Sequence, residues 1–132
     1  MNTNNWKYVK PLNDPESIEK FEKIRGVKFP EDLRNILKQY NGGRPVLNLY
    51  DTAKEKNKEF KTLLSFNNAD IENIYKYENV DSINKAMIPF ASDSIGNLFV
   101  LKDGKIFFWD HEIDSVNFLS DTFTAFLNML HK

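Results

Sequence analysis

The stretch NLFVLKDGKIFFWD (residues 97–110) decides the fold of this chain. Two runs rich in β-branched and aromatic residues flank Asp103-Gly104. An Asp-Gly pair favours the tight two-residue turn that joins neighbouring antiparallel strands. The stretch therefore predicts a β-hairpin and, with it, an antiparallel sheet.

Further extended segments precede this hairpin. AMIPFASDS (86–94) predicts a strand in which Pro89 requires an edge position or a bulge, because proline cannot donate to a strand ladder. PVLNLY (45–50) also predicts a strand, and FKTLLSFN (60–67) predicts a second strand or a loop edge. The polar, lysine-rich segment 51–59 between them predicts a loop.

Two helices are predicted in the first third of the chain. Asp14 is a capping residue with Pro15 after it, and apolar residues then recur at three- to four-residue spacing until Gly26. Gly26 is a natural end for this helix. A second helix, PEDLRNILKQYN, starts at Pro30 and carries an apolar stripe that ends at Tyr40.

Two more helical patterns lie further along. NADIENIYKYENV (68–80) predicts a short helix with Ile71, Ile74 and Tyr75 on one side. DTFTAFLNML (121–130) predicts a closing helix that Ser120 caps. Together the elements indicate an α+β fold, in which a central antiparallel β-sheet is flanked by α-helices. A length of 132 residues suits one domain, so we expect residues 1–132 to form a single domain.

Composition narrows the class of protein. The absence of cysteine excludes disulfides and thiolate chemistry. The N-terminus MNTNNWKYVKPLN has no apolar run, and no stretch approaches the roughly 18 apolar residues of a membrane span. A net charge of −1 gives no electrostatic reason to bind nucleic acid directly. We therefore expect a cytoplasmic protein without a membrane or nucleic-acid partner.

Charge is divided unevenly along the chain. Residues 1–66 hold 13 Lys/Arg and 9 Asp/Glu, whereas residues 67–132 hold 5 and 10, which together give the net −1. An acidic second half can steer a basic partner towards the protein. The alternative is two ordinary solvated faces.

Residues for catalysis are scarce. His131 is the penultimate residue, which leaves His111, in FWDHEIDS, as the histidine for a nucleophile–base pair or a metal site. Neighbouring residues on a strand point to opposite faces, and no second histidine stands at metal-ligand spacing. Carboxylates can be paired as in glycosidases, but so many acids in a short chain supply such pairs by chance. We expect no enzyme activity, no cofactor and no metal.

Glycines mark turns rather than ligand sites. Gly42 and Gly43 follow a helix and precede a strand, the reverse of a phosphate-cradling loop, so the nearby helix dipole end is negative. We expect them to turn the chain. Gly96, with Asp93 before it, and Gly104 are predicted to form tight turns next to strands.

Four segments, in this order, resemble the SUKH superfamily. They cover about residues 14–130 and are IEKFEKIRGVKFPEDLRNILKQYNGGRP (18–45), IPFASDSIGNLFVL (88–101), GKIFFWDHE (104–112) and DTFTAFLNML (121–130). Gly96-Asn97 departs from the two glycines that the family often shows there, and residues 51–85 match little. The resemblance implies an α+β fold without catalytic activity.

The resemblance also implies a function. Bacterial SUKH proteins are implied to be immunity proteins (antitoxins) that bind and neutralise the toxin domain, often a nuclease, of a polymorphic toxin system. A regulatory or scaffold module that binds a host signalling protein, as in the eukaryotic branch, is the alternative. A small hydrolase or metal enzyme using His111 is a third.

Candidate toxin-binding residues follow from charge and aromatic character. A nuclease holds a phosphodiester chain on a basic face, so carboxylates of the second half are expected to contact it. These are Asp93, Asp110, Glu112 and Asp114, with Asp70 and Glu72 near them in sequence. Tyr50 and Trp109 are candidate aromatic anchors, and a core position is the alternative for Trp109. Exposed aromatic residues would also suit a homodimer.

Overall fold

A five-stranded antiparallel sheet forms the centre of the computed structural model, which describes residues 5–77 and 87–132. Its strands, in the order in which they lie side by side, are β5 (Thr62–Leu63), β6 (Ile88–Ser92), β7 (Leu98–Lys102), β8 (Lys105–Asp110) and β9 (Ser115–Ser120). With helices packed against it, the sheet confirms the predicted α+β class.

The hairpin of β7 and β8 has the predicted register. Lys102 pairs with Lys105, and the two residues between them, Asp103 and Gly104, have φ of 53° and 76°. Two successive positive φ values define the turn whose twist matches the flanking strands. The Asp103-Gly104 prediction is confirmed.

Proline 89 is accommodated by a bulge. The register between β6 and β7 shifts between Pro89 and Ala91. Strand β6 lies between β5 and β7, so Pro89 is not on an outer strand. Of the two predicted solutions, the structure uses the bulge.

The two faces of the sheet carry separate apolar clusters. One face presents Phe99 and Phe108 to the main core, where all three α-helices also bury side chains. On the opposite face Leu98, Val100 and Trp109 form a smaller cluster with Met87. Alternation along β7 and β8 explains this division.

Helices α1 (Ser17–Arg25) and α2 (Glu31–Gln39) match the predicted periodicity. Helix α1 starts later than predicted, with Glu16 rather than Asp14 at the capping position. The Asp14 carboxylate instead accepts the backbone N–H of Glu16, in the turn before the helix. Gly26 ends α1 in the left-handed region, with φ of 67°, as predicted.

Helix α3 (Phe123–Leu127) is shorter than predicted and is capped by a different residue. Thr122 Oγ1 accepts the backbone N–H of Ala125 at 3.0 Å. Ser120, the predicted cap, is instead the last residue of β9. The cap prediction was wrong because strand pairing extends through Ser120, which leaves the next hydroxyl to begin the helix.

The glycine pair after α2 turns the chain by two different means. Gly42 has φ of 67°, whereas a Cβ at Gly43 would lie 2.8 Å from the Tyr40 carbonyl oxygen. The predicted strand 45–50 is two short strands. They are β2 (Arg44–Pro45), paired with β1 (Trp6–Lys7), and β3 (Leu49–Tyr50), paired with β4 (Lys58–Glu59).

The predicted helix at 68–80 is largely replaced by irregular structure. One short 3₁₀ helix, Ile74–Tyr77, is present, and residues 78–80 lie outside the described part of the chain. Ile74 is buried but Ile71 is exposed, so the expected common face does not form.

Candidate protein-binding site

Two turns meet at one end of the sheet. Residues 93–97 connect β6 to β7, and residues 111–114 connect β8 to β9. Because β7 and β8 are antiparallel neighbours with Leu98 opposite Trp109, both connections emerge at the same end. We call residues 93–97 and 111–114 the paired turns. Three of the four predicted acidic candidates, Asp93, Glu112 and Asp114, lie in the paired turns, and the fourth, Asp110, ends β8 immediately before the second turn.

Asp93 organises the first turn. Its Oδ1 accepts the backbone N–H groups of Ile95 at 3.0 Å and Asn97 at 2.9 Å. Its Oδ2 accepts the Asn97 side-chain amide at 3.0 Å. Gly96 completes the turn with φ of 94°, as its predicted role requires. Both oxygens of Asp93 therefore stabilise the turn itself.

Asn97 ties the two turns together. Its buried side-chain oxygen accepts the His111 backbone N–H at 3.1 Å and lies 2.6 Å from His111 Nδ1. The carboxylate of Asp93 on one side and this N–H on the other fix the orientation of the amide. Because the amide oxygen only accepts, Nδ1 of His111 carries a proton. A Cβ at Gly96 would lie 3.3 Å from the His111 ring, so the turns are in close contact.

The second turn is held by its own acids. Asp110 Oδ1 accepts the Glu112 backbone N–H at 3.0 Å. Asp114 Oδ1 accepts the indole N–H of Trp109 at 2.7 Å, and Asp114 has φ of 48°. The side chain of Glu112 is exposed. This turn therefore presents carboxylates to solvent from a hydrogen-bonded frame.

Neither aromatic candidate offers a surface anchor. Tyr50 is fully buried, with its ring edge-to-face against Phe99 and Phe126 at centroid distances of 5.8 and 5.3 Å. Burial, aided by the negative charge of Asp93, raises the pKa of Tyr50. Trp109 is also buried, in the smaller cluster, so its core alternative is the one that the structure shows. The anchor predictions were wrong because both rings are buried in apolar clusters, where a partner protein cannot contact them.

Two exposed isoleucines in the paired turns were missed. Ile95 is 71% exposed and Ile113 is 72% exposed, one in each turn. The sequence signal for them is one apolar residue within a short polar connection between strands, as in SDSIGN and HEID. Such a residue cannot reach the core without breaking the turn, so it is expected to be exposed. Ile113 lies between Glu112 and Asp114, and Ile95 follows Asp93 by two residues.

Lysines of the first half of the chain border the paired turns. A cleft of about 440 Å³ is lined by Lys54, Lys58, Asp110 and Ile113, among others. The Lys58 ammonium lies 4.3 Å from the centroid of the Phe108 ring. Lysines from the first half of the chain therefore lie beside the acidic turns of the second half.

Asp70 and Glu72 lie elsewhere. Asp70 accepts hydrogen bonds from Ser65 Oγ at 2.6 Å and Asn67 Nδ2 at 3.2 Å. Glu72 pairs with Lys61 at 3.0 Å. These contacts place both acids beside β5, at the opposite edge of the sheet from β9. Proximity in sequence did not bring them to the paired turns.

The arrangement suits binding better than catalysis. The carboxylates of Asp93, Asp110 and Asp114 each accept hydrogen bonds from their own turn instead of converging on one point. Within residues 5–77 and 87–132, no group of three or more His, Asp or Glu side chains could hold a metal ion. Over the same ranges, no helix has the length and apolar character needed to cross a membrane.

These features define an α+β domain with helices packed on an antiparallel sheet and an acidic pair of turns at one end. The model of the SMI1/KNR4 family (SUKH-1) matches residues 13–129. The chain therefore belongs to the SMI1/KNR4 family (SUKH-1), and the resemblance noted in the sequence is confirmed at that level. No curated protein matches the chain.

Proposed function

We propose that this chain is a cytoplasmic immunity protein that binds and neutralises the toxin domain, a nuclease, of a cognate bacterial toxin. Membership of the SMI1/KNR4 family (SUKH-1) supports the proposal. The observation that carries it is the pair of acidic turns, held together by Asn97 and directed into solvent at one end of the sheet. A preorganised surface of this kind binds a partner without the cost of ordering a loop.

Charge supports a nuclease as the target. An enzyme that holds a phosphodiester chain needs a basic face. Asp110, Glu112 and Asp114 present negative charge to such a face and would accelerate encounter with it. Ile95 and Ile113 add exposed apolar area to the same turns, which gives the contact a component that salt does not screen.

Co-expression tests the function directly. The toxin domain encoded beside this chain is produced in a host that it kills, with and without the chain. We expect rescue and a complex that co-purifies. Death despite soluble expression of the chain would contradict the proposal and favour the regulatory-module alternative.

Charge reversal tests the surface. The double variant Asp110→Lys/Glu112→Lys should bind the toxin domain more weakly and with less dependence on salt. The matched control, Glu16→Lys/Asp121→Lys, makes the same change of net charge at exposed positions outside the turns. Equal affinity and equal salt dependence in the two doubles would exclude the paired turns as the contact.

A further inference from the structure

Strand β9 is an open edge of the central sheet. Among the described residues, β8 is its one neighbour in the sheet. Its sequence, SVNFLS (115–120), contains no charged residue and no proline. Natural edge strands are often protected by charges, proline or a β-bulge, because an unprotected edge pairs with other strands. Up to Phe118, β9 has none of these, since its register shift lies at Leu119. The composition of β9 is therefore that of a strand that pairs.

The hairpin turn fixes which backbone groups point outward. In a two-residue hairpin the closing pair, here Lys102 and Lys105, is hydrogen bonded. Along β8, the backbone N–H and C=O groups of successive residues point alternately towards β7 and towards β9. Those of Lys105 point towards β7, so those of Phe108, three residues later, point towards β9. Phe108 therefore exchanges hydrogen bonds with its β9 partner Asn117. The N–H and C=O groups of Val116 and Phe118 consequently point to the open edge.

The side chains of the same two residues are apolar and accessible. Val116 is 37% exposed and Phe118 is 55% exposed. Both lie on the face of the sheet that carries Phe107, whose ring meets that of Phe118 edge-to-face at 5.6 Å. A register shift between β8 and β9 makes Leu119 an extra residue, so regular geometry on the open side ends at Phe118.

We infer that a second copy of this chain pairs with β9 in antiparallel orientation, about a two-fold axis at Asn117. Val116 of each copy then lies opposite Phe118 of the other. Both outward-pointing residues gain backbone hydrogen bonds, and each pair joins an aromatic to a β-branched side chain, a favourable cross-strand combination. A two-fold interface requires such self-complementarity.

Charge favours this arrangement. The first end of β9 adjoins Asp114, and the last end adjoins Asp121, which Lys105 neutralises at 3.2 Å. Antiparallel pairing places the acidic turn of one copy at this neutral end of the other, whereas parallel pairing would place two acidic turns side by side. The paired turns of the two copies lie at opposite ends of the joint sheet, so the dimer does not depend on the proposed function.

Disulfide cross-linking tests the register, since the chain has no native cysteine. At the two-fold axis the Asn117 residues form a pair without mutual hydrogen bonds, whose Cα atoms are about 4.5 Å apart. That distance suits a disulfide. We expect Asn117→Cys to form a covalent dimer under mild oxidation. The control is Ser115→Cys, on the same strand face. It should remain uncross-linked, because the two-fold axis places the two copies of residue 115 about four residues apart along the strands, roughly 13 Å.

Mass measurement tests the dimer without a new cysteine. Light scattering during gel filtration should give twice the 15.5 kDa of the chain at high concentration. Val116→Pro removes an outward N–H while leaving the ladder to β8 intact, and should yield a folded monomer. Ile95→Lys, at a more exposed apolar site outside β9, should remain dimeric. A wild-type monomer throughout, or equal cross-linking at positions 115 and 117, would overturn the inference.

Discussion

Replacing Asn97 by alanine should separate the paired turns. The side chain is buried and bridges Asp93 in one turn to His111 in the other. Asn97→Ala removes the amide that donates to the Asp93 carboxylate and the oxygen that accepts from the His111 backbone N–H and ring. The backbone N–H of residue 97 still bonds to Asp93, so the first turn itself survives.

The expected loss of stability follows from these contacts. A hydrogen bond to a charged group contributes about 1.5–3 kcal/mol, and each bond between neutral groups about 1 kcal/mol. Because Asp93 is only half-buried, water reaches its carboxylate, and we take the lower value for that bond. With the two bonds to His111, the free energy of unfolding should fall by about 3.5 kcal/mol.

Urea denaturation measures this change. Asn97→Ala should shift the midpoint by the amount that corresponds to about 3.5 kcal/mol, with the slope unchanged. Asn35→Ala, an exposed asparagine on α2, is the matched control and should stay within about 0.5 kcal/mol of the wild type. In NMR spectra the ring proton on Nδ1 of His111 should exchange faster in the Asn97 variant. A loss no greater than that of the control, with the proton equally protected, would refute the bridging role.

Three further predictions concern single sites. Tyr50→Phe should raise the free energy of unfolding, measured by urea denaturation, by about 1 kcal/mol, because the buried hydroxyl has no hydrogen-bond partner among the described residues. A decrease of about 1 kcal/mol would contradict this. Gly104→Ala should lower the free energy of unfolding by about 1–2 kcal/mol, because a φ of 76° is strained for alanine although the space around the glycine is open. An unchanged thermal midpoint would contradict this and show that the turn relaxes. The Lys132 carbonyl, and then Asp51, raise the pKa of His131 above 6.5, so this interaction stabilises the fold at low pH and is lost as pH rises through the raised value. The stability advantage of the wild type over His131→Gln should therefore shrink as pH rises through the raised pKa of His131, and a constant difference across that rise would exclude the linkage.

Elements with a local cause could be predicted from the sequence. The hairpin follows from Asp103-Gly104 between two β-rich runs, and the end of α1 follows from Gly26, because both positions need positive φ. Pro89 was predicted to need an edge or a bulge, and local chemistry could not choose between them. The choice depends on where β6 lies in the sheet, which is a property of the whole chain.

Contacts between residues far apart in the sequence could not be predicted. Asp32 in α2 accepts hydrogen bonds from both the backbone and the hydroxyl of Thr124, 92 residues away. No periodicity in the sequence encodes such a pairing. The same limit applies to Tyr50, because an aromatic residue at the end of a short strand can face solvent or the core. Its neighbours Phe99 and Phe126 are supplied by other elements.

The hydrogen bonds of the paired turns rank the acidic candidates by how freely they can meet a partner. Both oxygens of Asp93 already accept bonds within the first turn, whereas Asp110 and Asp114 each commit one oxygen and Glu112 extends into solvent. A weaker complex after substitution of Asp93 would therefore report the loss of the turn as readily as the loss of a contact. Substitution of Glu112 removes charge without removing any bond that shapes the turn. The direct electrostatic contribution to toxin binding is thus measured at Glu112, and the contribution of preorganisation at Asp93 and Asn97.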